Sequence, residues 1–202
     1  VNNFLYLLFS LMIYITSIKY YEEKKITLGD NSFGISIGLT VLAIILLIVV
    51  FNTDNQLIKH LLWTLVILIL GYLGKYQIEK LNKELIRDTV LKVTLIVLGC
   101  VAFSVAFPKF IKPSMANVLF IGLLVAIIFR IIDVFLLDRK YHNYISYLII
   151  FIFTGFIVYD TDRIKKVGIM CKKSGKPEYL ENIMNMFLNI INLFSSIYGL
   201  ED

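Results

Sequence analysis

The chain alternates long apolar runs with short polar connectors along its whole length. Most runs have the length of a membrane-spanning helix, about 17 to 25 residues, and they lack the period-two alternation of barrel strands. All three prolines fall in connectors, where a missing N–H disturbs no helix. The seven predicted spans are residues 4–18, 34–51, 58–74, 89–107, 115–137, 144–160 and 180–199.

Lipid accepts only helices and closed barrels as spanning structures, because every backbone polar group must be satisfied within the protein. The pattern therefore predicts an all-α polytopic membrane protein, with residues 1–202 forming one transmembrane domain. Composition agrees, since 58% of the residues are hydrophobic and 17% are charged, against about 45–50% and about 25% in soluble domains. The first run has no small-residue cleavage site after it, which favours a retained helix over a signal peptide.

Several function classes lack their signatures. The net charge of +5 forms no basic stripe with interleaved aromatics, so the predicted partner is the lipid bilayer and not nucleic acid. Cys100 and Cys171 have neither a metal-ligand spacing nor the context of a disulfide framework. A Walker loop, an HExxH motif and a serine-centred elbow are all missing, which argues against an enzyme. The seventh span contains no lysine for a retinal Schiff base.

Two groups of charged residues need an explanation. Arg130 and Asp133 lie three residues apart inside the fifth span, where they can form an intramembrane ion pair, and a neutralised structural pair is the preferred interpretation. Six cations between spans six and seven are predicted to lie at the membrane surface, either on anionic lipid or as simple topological anchors. These cations are Arg163, Lys165, Lys166, Lys172, Lys173 and Lys176. The cluster favours the cytosolic side for its connector, whereas Lys and Arg counted over all connectors are equal in number on the two sides.

Polar residues also line one face of the seventh span, at successive separations of three, four, three and four residues. They are Asn182, Asn185, Asn189, Asn192 and Ser196. This spacing places them along one side of a helix, which should face protein or water because bare amides are costly in hydrocarbon. The opposite side is predicted to face lipid or packed helices. Hydrogen bonds between helices and a solvated pathway both explain the stripe.

Asp160 ends the sixth apolar run, within the segment "GFIVYDTDRI". The helix dipole disfavours a negative charge at a carboxyl end, so the side chain needs a partner. One interpretation is an interfacial carboxylate in water, offset by Arg163. The other is a carboxylate turned into the bundle toward the asparagine stripe, which would mark a functional site.

"GFIVYDTDRI", the basic connector and "YLENIMNMFLNIINLFSSI" together resemble the signature of the Bax inhibitor family, also called transmembrane Bax inhibitor motif or lifeguard proteins. The resemblance is specific over residues 155–197, and "VLFIGLLVAIIFRIIDVFL" is similar to the family's fifth span. It implies six helices around a central seventh, in endoplasmic reticulum or Golgi, with the bacterial inner membrane as the alternative. It also implies a pH-sensitive calcium leak without a cofactor, and suppression of apoptosis alongside membrane proteins of the cell-death machinery.

In the family two aspartates share a proton and latch the pore. Asp160 matches the first aspartate, whereas Asn189 takes the place of the second. A carboxylate and an amide can hydrogen-bond, but the like-charge coupling of two acids is lost, so an altered pH sensitivity is expected. Two hypotheses follow: a leak channel with Asp160 and the amide oxygens of Asn189 and Asn192 as cation ligands, or a non-conducting regulator that binds other membrane proteins.

Overall fold

The computed structural model describes residues 2–24, 32–78, 83–174 and 180–201. Within these ranges the chain is helical, without strands, and contains seven α-helices, each long and apolar enough to cross a membrane. They are α1 (Asn2–Glu23), α2 (Ser32–Phe51), α3 (Gln56–Ile78), α4 (Lys83–Ala106), α5 (Ser114–Leu136), α6 (His142–Ser174) and α7 (Leu180–Glu201). The predicted all-α polytopic membrane fold is confirmed.

Each predicted span overlaps one helix, but several helices are longer than predicted. α4 begins at Lys83, six residues before its predicted span, and α3 ends at Ile78, four residues after its predicted span. α1 continues to Glu23, and its last turn carries a Lys19–Glu23 ion pair of 3.7 Å. α6 continues to Ser174, so the prediction that a connector starts at residue 161 is wrong. Residues 161–174 contain no proline, and an ion pair one turn apart, Asp162 to Lys166 at 2.5 Å, supports the helix there. At 33 residues, α6 is about 50 Å long and exceeds a hydrocarbon core of about 30 Å.

Short polar sequences define several helix ends. The side chain of Asn55 accepts hydrogen bonds from the backbone N–H groups of Leu57 (3.0 Å) and Ile58 (3.3 Å), which caps the amino end of α3. α4 ends before Pro108, which opens a short 3-10 helix, Pro108–Phe110. Pro113 directly precedes α5 with helical backbone angles, a position where its missing N–H costs nothing.

Helices α1 to α3 form one compact unit, in which α3 packs against both α1 and α2. The contact between α1 and α3 is close at Gly71, where an added Cβ would lie 3.0 Å from the Cβ of Ser17 and would overlap its Oγ. Polar groups also cross this contact. The indole of Trp63, which is 1% exposed, donates to Ser10 Oγ at 3.2 Å, so small residues and hydrogen bonds hold the pair together, as is typical of membrane helices.

Helices α4 to α7 form the second compact unit. α6 packs against α4, α5 and α7, and α7 also packs against α4. An apolar cluster of Leu119, Ala126 and Ile152 fills the α5–α6 contact. α6 is therefore the helix that reaches every other helix of this unit, which makes its polar residues the natural centre of a site. The ring of six helices around α7 and the single domain of residues 1–202 stay predictions.

Candidate functional site

A hydrogen bond between α6 and α7 forms the centre of the candidate site. Asn189 Nδ2 donates to Asp160 Oδ2 at 2.7 Å. The Asp160 side chain is buried, at 4% exposure, whereas Asn189 is half-buried. A buried carboxylate is costly unless it is hydrogen-bonded, so the amide stabilises the charged form in place. The structure thus brings together the two residues that stand at the latch positions of the resemblance.

Asp160 lies in the middle of a helix and not at its end. Because α6 continues to Ser174, the interpretation that a helix carboxyl end disfavours this charge is wrong. The interfacial alternative placed this carboxylate in water, which is wrong because Asp160 is buried and bonded to α7, but the charge of Arg163 does attract it. The hydroxyl of Thr161, which is 1% exposed, donates to the backbone carbonyl of Ile157 at 2.7 Å. That hydroxyl is therefore not a donor to the Asp160 carboxylate.

The asparagine stripe of α7 passes from buried to exposed along the helix. Asn182 is 3% exposed, Asn185 and Asn189 are half-buried, and Asn192 is exposed. The structure therefore places Asn189 on Asp160 but does not gather Asn192 there. On the opposite face Ile183 has 0% exposure, as does Phe187, so that face is the packing side of the two alternatives. The burial of these two side chains is consistent with the packing of α7 against α4 and α6.

Most of the six cations predicted between spans six and seven lie on a helix and not in a loop. Arg163, Lys165 and Lys166 lie on α6, as do the backbones of Lys172 and Lys173, whereas Lys176 lies outside the described residues. Lys165 Nζ donates to Ser104 O at 3.2 Å, in the last turn of α4, where a cation complements the helix dipole. The connector predicted at this position is thus partly a helical surface that anchors α4. Contact with anionic lipid stays a prediction.

Arg130 and Asp133 bind other partners instead of each other. Arg130 Nη1 donates to Ser146 Oγ at 2.9 Å, and Asp133 Oδ1 accepts the backbone N–H of Tyr141 at 2.8 Å. The two side chains therefore form hydrogen bonds across the α5–α6 turn and not a close ion pair, while their opposite charges still attract each other. The reason is geometric, because the turn returns the amino end of α6 to the same level of α5. Asp133, which belongs to α5, thus accepts a hydrogen bond at the amino end of α6 as an N-cap side chain would.

Sequence reasoning did not identify His142 as part of a polar cluster. Its Nε2 lies 3.2 Å from Gly199 O on α7 and 3.3 Å from Arg130 Nη2 on α5. The sequence offered only a weak signal: the chain has two histidines, and this one lies two residues before the sixth predicted span. Among the described residues, no group of three or more His, Cys, Asp or Glu side chains could hold a metal ion.

Two comparisons with known proteins bear on this arrangement. A family model described as "Inhibitor of apoptosis-promoting Bax1" matches residues 3–200. The chain is also 31% identical over 106 residues to a protein of Vibrio cholerae named "Uncharacterized membrane protein". That alignment covers 52% of this chain and 44% of the relative, so the match spans less than half of the relative's length.

Proposed function

Because the chain belongs to the Bax inhibitor family, we propose that this integral membrane protein lets calcium leak across its membrane along α6 and α7, and thereby regulates cell death. The observation that carries the proposal is the Asp160–Asn189 hydrogen bond, a buried charge held on a polar stripe. Ionisable groups inside a membrane are rare and mark ion pathways by default. The protein uses no cofactor and catalyses no reaction, and Ca²⁺ is the permeant ion.

The hydrogen bond supplies a latch with a simple chemistry. Calcium prefers oxygen ligands, including carboxylates and amide carbonyls. In the closed arrangement Asn189 presents its N–H to Asp160, which satisfies the charge but offers a cation no second oxygen. Rotation of the amide exchanges that N–H for Oδ1, so that carboxylate and amide oxygens face the ion together. A hydrogen bond to a charged group is worth about 1.5–3 kcal/mol, which sets the scale of the barrier.

The family membership also bears on location. The resemblance supports the endoplasmic reticulum or Golgi, and the bacterial relative supports the inner membrane as the alternative. In either membrane the long α6 carries its cations, Arg163 and Lys166 among them, along its carboxyl part. We assign that part to the surface of an anionic leaflet, where a juxtamembrane cation contributes about 1 kcal/mol.

Calcium flux from loaded liposomes tests the leak. The parent protein should release calcium faster than empty vesicles, and Asp160→Asn should slow release about tenfold or more, because the ion loses its charged ligand. Asn192→Ala is the matched control, since Asn192 belongs to the same stripe but is exposed, and it should keep the parent rate. The leak is abandoned if the parent does not exceed empty vesicles at any pH between about 5 and 8, or if Asp160→Asn conducts equally well.

A non-conducting regulator is the second candidate, and one contact favours it. The atom that Asn189 turns toward Asp160 is a hydrogen-bond donor and not an oxygen, which is the arrangement of two helices joined by a polar seam. In this function the protein binds membrane proteins of the cell-death machinery. A cell-survival assay distinguishes the two: Asp160→Asn should protect as well as the parent if the protein only binds partners, and should lose protection if the leak is the activity.

A further inference from the structure

Two hydrogen bonds join α4 to α6, one on each side of Asp160 along the chain. Cys100 Sγ of α4 donates to Thr154 O of α6 at 3.6 Å. Lys165 Nζ of α6 donates to Ser104 O of α4 at 3.2 Å. Thr154 precedes Asp160 by six residues, and Lys165 follows it by five. Because α4 packs against α7 as well, it is the third helix beside the α6–α7 contact.

The sequence at the end of α4 leaves the backbone carbonyl of Ser104 without a donor inside the helix. An α-helical carbonyl accepts from the N–H four residues later, and that residue is Pro108, which has no N–H. Helical bonding continues up to this point, since Phe107 N donates to Phe103 O at 2.8 Å. Lys165 supplies the missing donor, and its charge complements the carboxyl end of the helix dipole. The contact between α6 and α4 therefore follows from the position of Pro108.

Both partners in this contact are withdrawn from solvent. Ser104 has 0% exposure, and Lys165 is half-buried, although the next residue, Lys166, is exposed. The hydroxyl of Ser104 has no hydrogen-bond partner in the part of the chain that the structure describes. A buried hydroxyl without a partner is destabilising, and water would satisfy it if α4 moved away from α6. The closed arrangement therefore needs a contact that opposes this separation.

We propose that Lys165 is a positioning residue that keeps α4 closed over the α6–α7 contact and so keeps water away from Asp160. The inference rests on the proposed leak, because it makes release of the Lys165–Ser104 hydrogen bond the step that hydrates the ion path. While the bond is made, α4 is held to α6 on both sides of Asp160. When it breaks, the carbonyl and the hydroxyl of Ser104 bind water, and the carboxyl end of α4 can leave α6. Lys165 itself binds no permeating ion and acts through α4.

The thiol of Cys100 reports on this closure without ion flux, because it is 4% exposed and lies in the α4–α6 contact. A small water-soluble methanethiosulfonate reacts with the thiolate, which forms only where water reaches the sulfur. The full chain in nanodiscs should be labelled slowly, with Cys171→Ser so that Cys100 is the only thiol. Adding Lys165→Met should speed labelling about tenfold or more, since a hydrogen bond from a charged group opposes local opening by at least about that factor.

Two further variants and a second thiol distinguish this contact from a general effect on the fold. Lys165→Arg keeps a cationic donor and should be labelled at about the parent rate. Lys109→Met removes an exposed lysine just after α4 and should also keep the parent rate. Ala43→Cys, with serine at both native cysteine positions, places a thiol at a buried position of the first unit. Labelling at that thiol should not respond to Lys165→Met.

The proposal is overturned if Lys165→Met leaves labelling of Cys100 at the parent rate, or if Lys165→Arg or Lys109→Met raises that rate equally. A matching increase at the Ala43→Cys thiol would also overturn it, since the effect would then be general loosening. Calcium release from loaded liposomes is measured separately, and Lys165→Met should release about threefold faster than the parent or more. Faster labelling without faster release contradicts the link to the leak. If no variant releases calcium, the proposed function fails, and labelling still decides whether Lys165 keeps α4 closed.

Discussion

Asn189→Asp is expected to give the protein a pH-dependent transition, because it places two carboxylates at the 2.7 Å contact now made by a carboxylate and an amide. Two carboxylates at that distance in a poorly solvated site cannot both ionise, so one proton stays bound toward neutral pH. The two groups then titrate as a coupled pair and not as separate acids. Such a pair would restore the acid couple that the family resemblance implies.

The sign of the effect follows from proton linkage. The folded variant holds a proton that the unfolded chain releases, so its free energy of unfolding decreases as pH rises through the range in which the unfolded carboxyls are already ionised. A difference of one bound proton corresponds to about 1.4 kcal/mol per pH unit. Reversible unfolding in mixed micelles at several pH values between about 5 and 8 measures this slope, and calcium flux should change over the same range.

Asn192→Asp is the matched control, because it adds a carboxylate to the same stripe at an exposed position and not at the contact with Asp160, so it forms no coupled pair with that residue. This control should follow the parent profile. Superimposable profiles for Asn189→Asp and its parent would show that positions 160 and 189 do not meet in the membrane.

Gly71→Ala should destabilise the unit of α1 to α3 by about 1–3 kcal/mol, the usual range for overpacking a close contact. The new methyl group would overlap Ser17 Oγ and lie 3.4 Å from Tyr14 O. Ser17 Oγ already donates to Tyr14 O at 2.7 Å, so moving it aside also breaks a hydrogen bond. The loss should appear as a lower free energy of unfolding in the same mixed micelles.

Gly38→Ala is the control, for which we expect no decrease in the free energy of unfolding. An added Cβ at Gly38 would meet nothing within 4 Å, and alanine is favoured over glycine inside a helix by about 1 kcal/mol, so this variant should be neutral or slightly more stable. Adding Ser17→Gly to Gly71→Ala should restore part of the loss, because it removes the atoms that the methyl group meets. If Gly71→Ala matches Gly38→Ala, the close α1–α3 contact is not present in the protein.

Span positions were predictable from sequence because hydrocarbon thickness sets the length of an apolar run. The end of α6 was not predictable in this way, because the hydropathy of the sequence falls at Asp160 while the helix continues to Ser174. Contacts other than lipid burial stabilise that part of the helix. Ile164 is buried there, at 5% exposure, and Lys165 and Lys166 bond to Ser104 O and Asp162. A hydropathy profile records the preference of each residue for lipid. It does not record contacts that let a helix continue beyond its apolar run.

The partners of Asp160 could be predicted from the sequence, whereas those of Arg130 and Asp133 could not. Asp160 and the asparagine stripe were connected by periodicity and by the family resemblance, and the structure brings Asp160 to Asn189. Their role in ion passage stays a prediction. The spacing of Arg130 and Asp133 suggested a pair within one helix, but both side chains have partners beyond the α5–α6 turn. Partners that depend on how a turn folds back are not encoded in the periodicity of one helix.

The length of α6 has a mechanical consequence. Fourteen residues, from Thr161 to Ser174, continue the helix beyond Asp160, which is about 21 Å of a stiff rod. No proline interrupts this segment, and Lys165 ties it to Ser104 O in the last turn of α4. The carboxyl half of α6 therefore links the position of the α4 end to that of the Asp160–Asn189 bond.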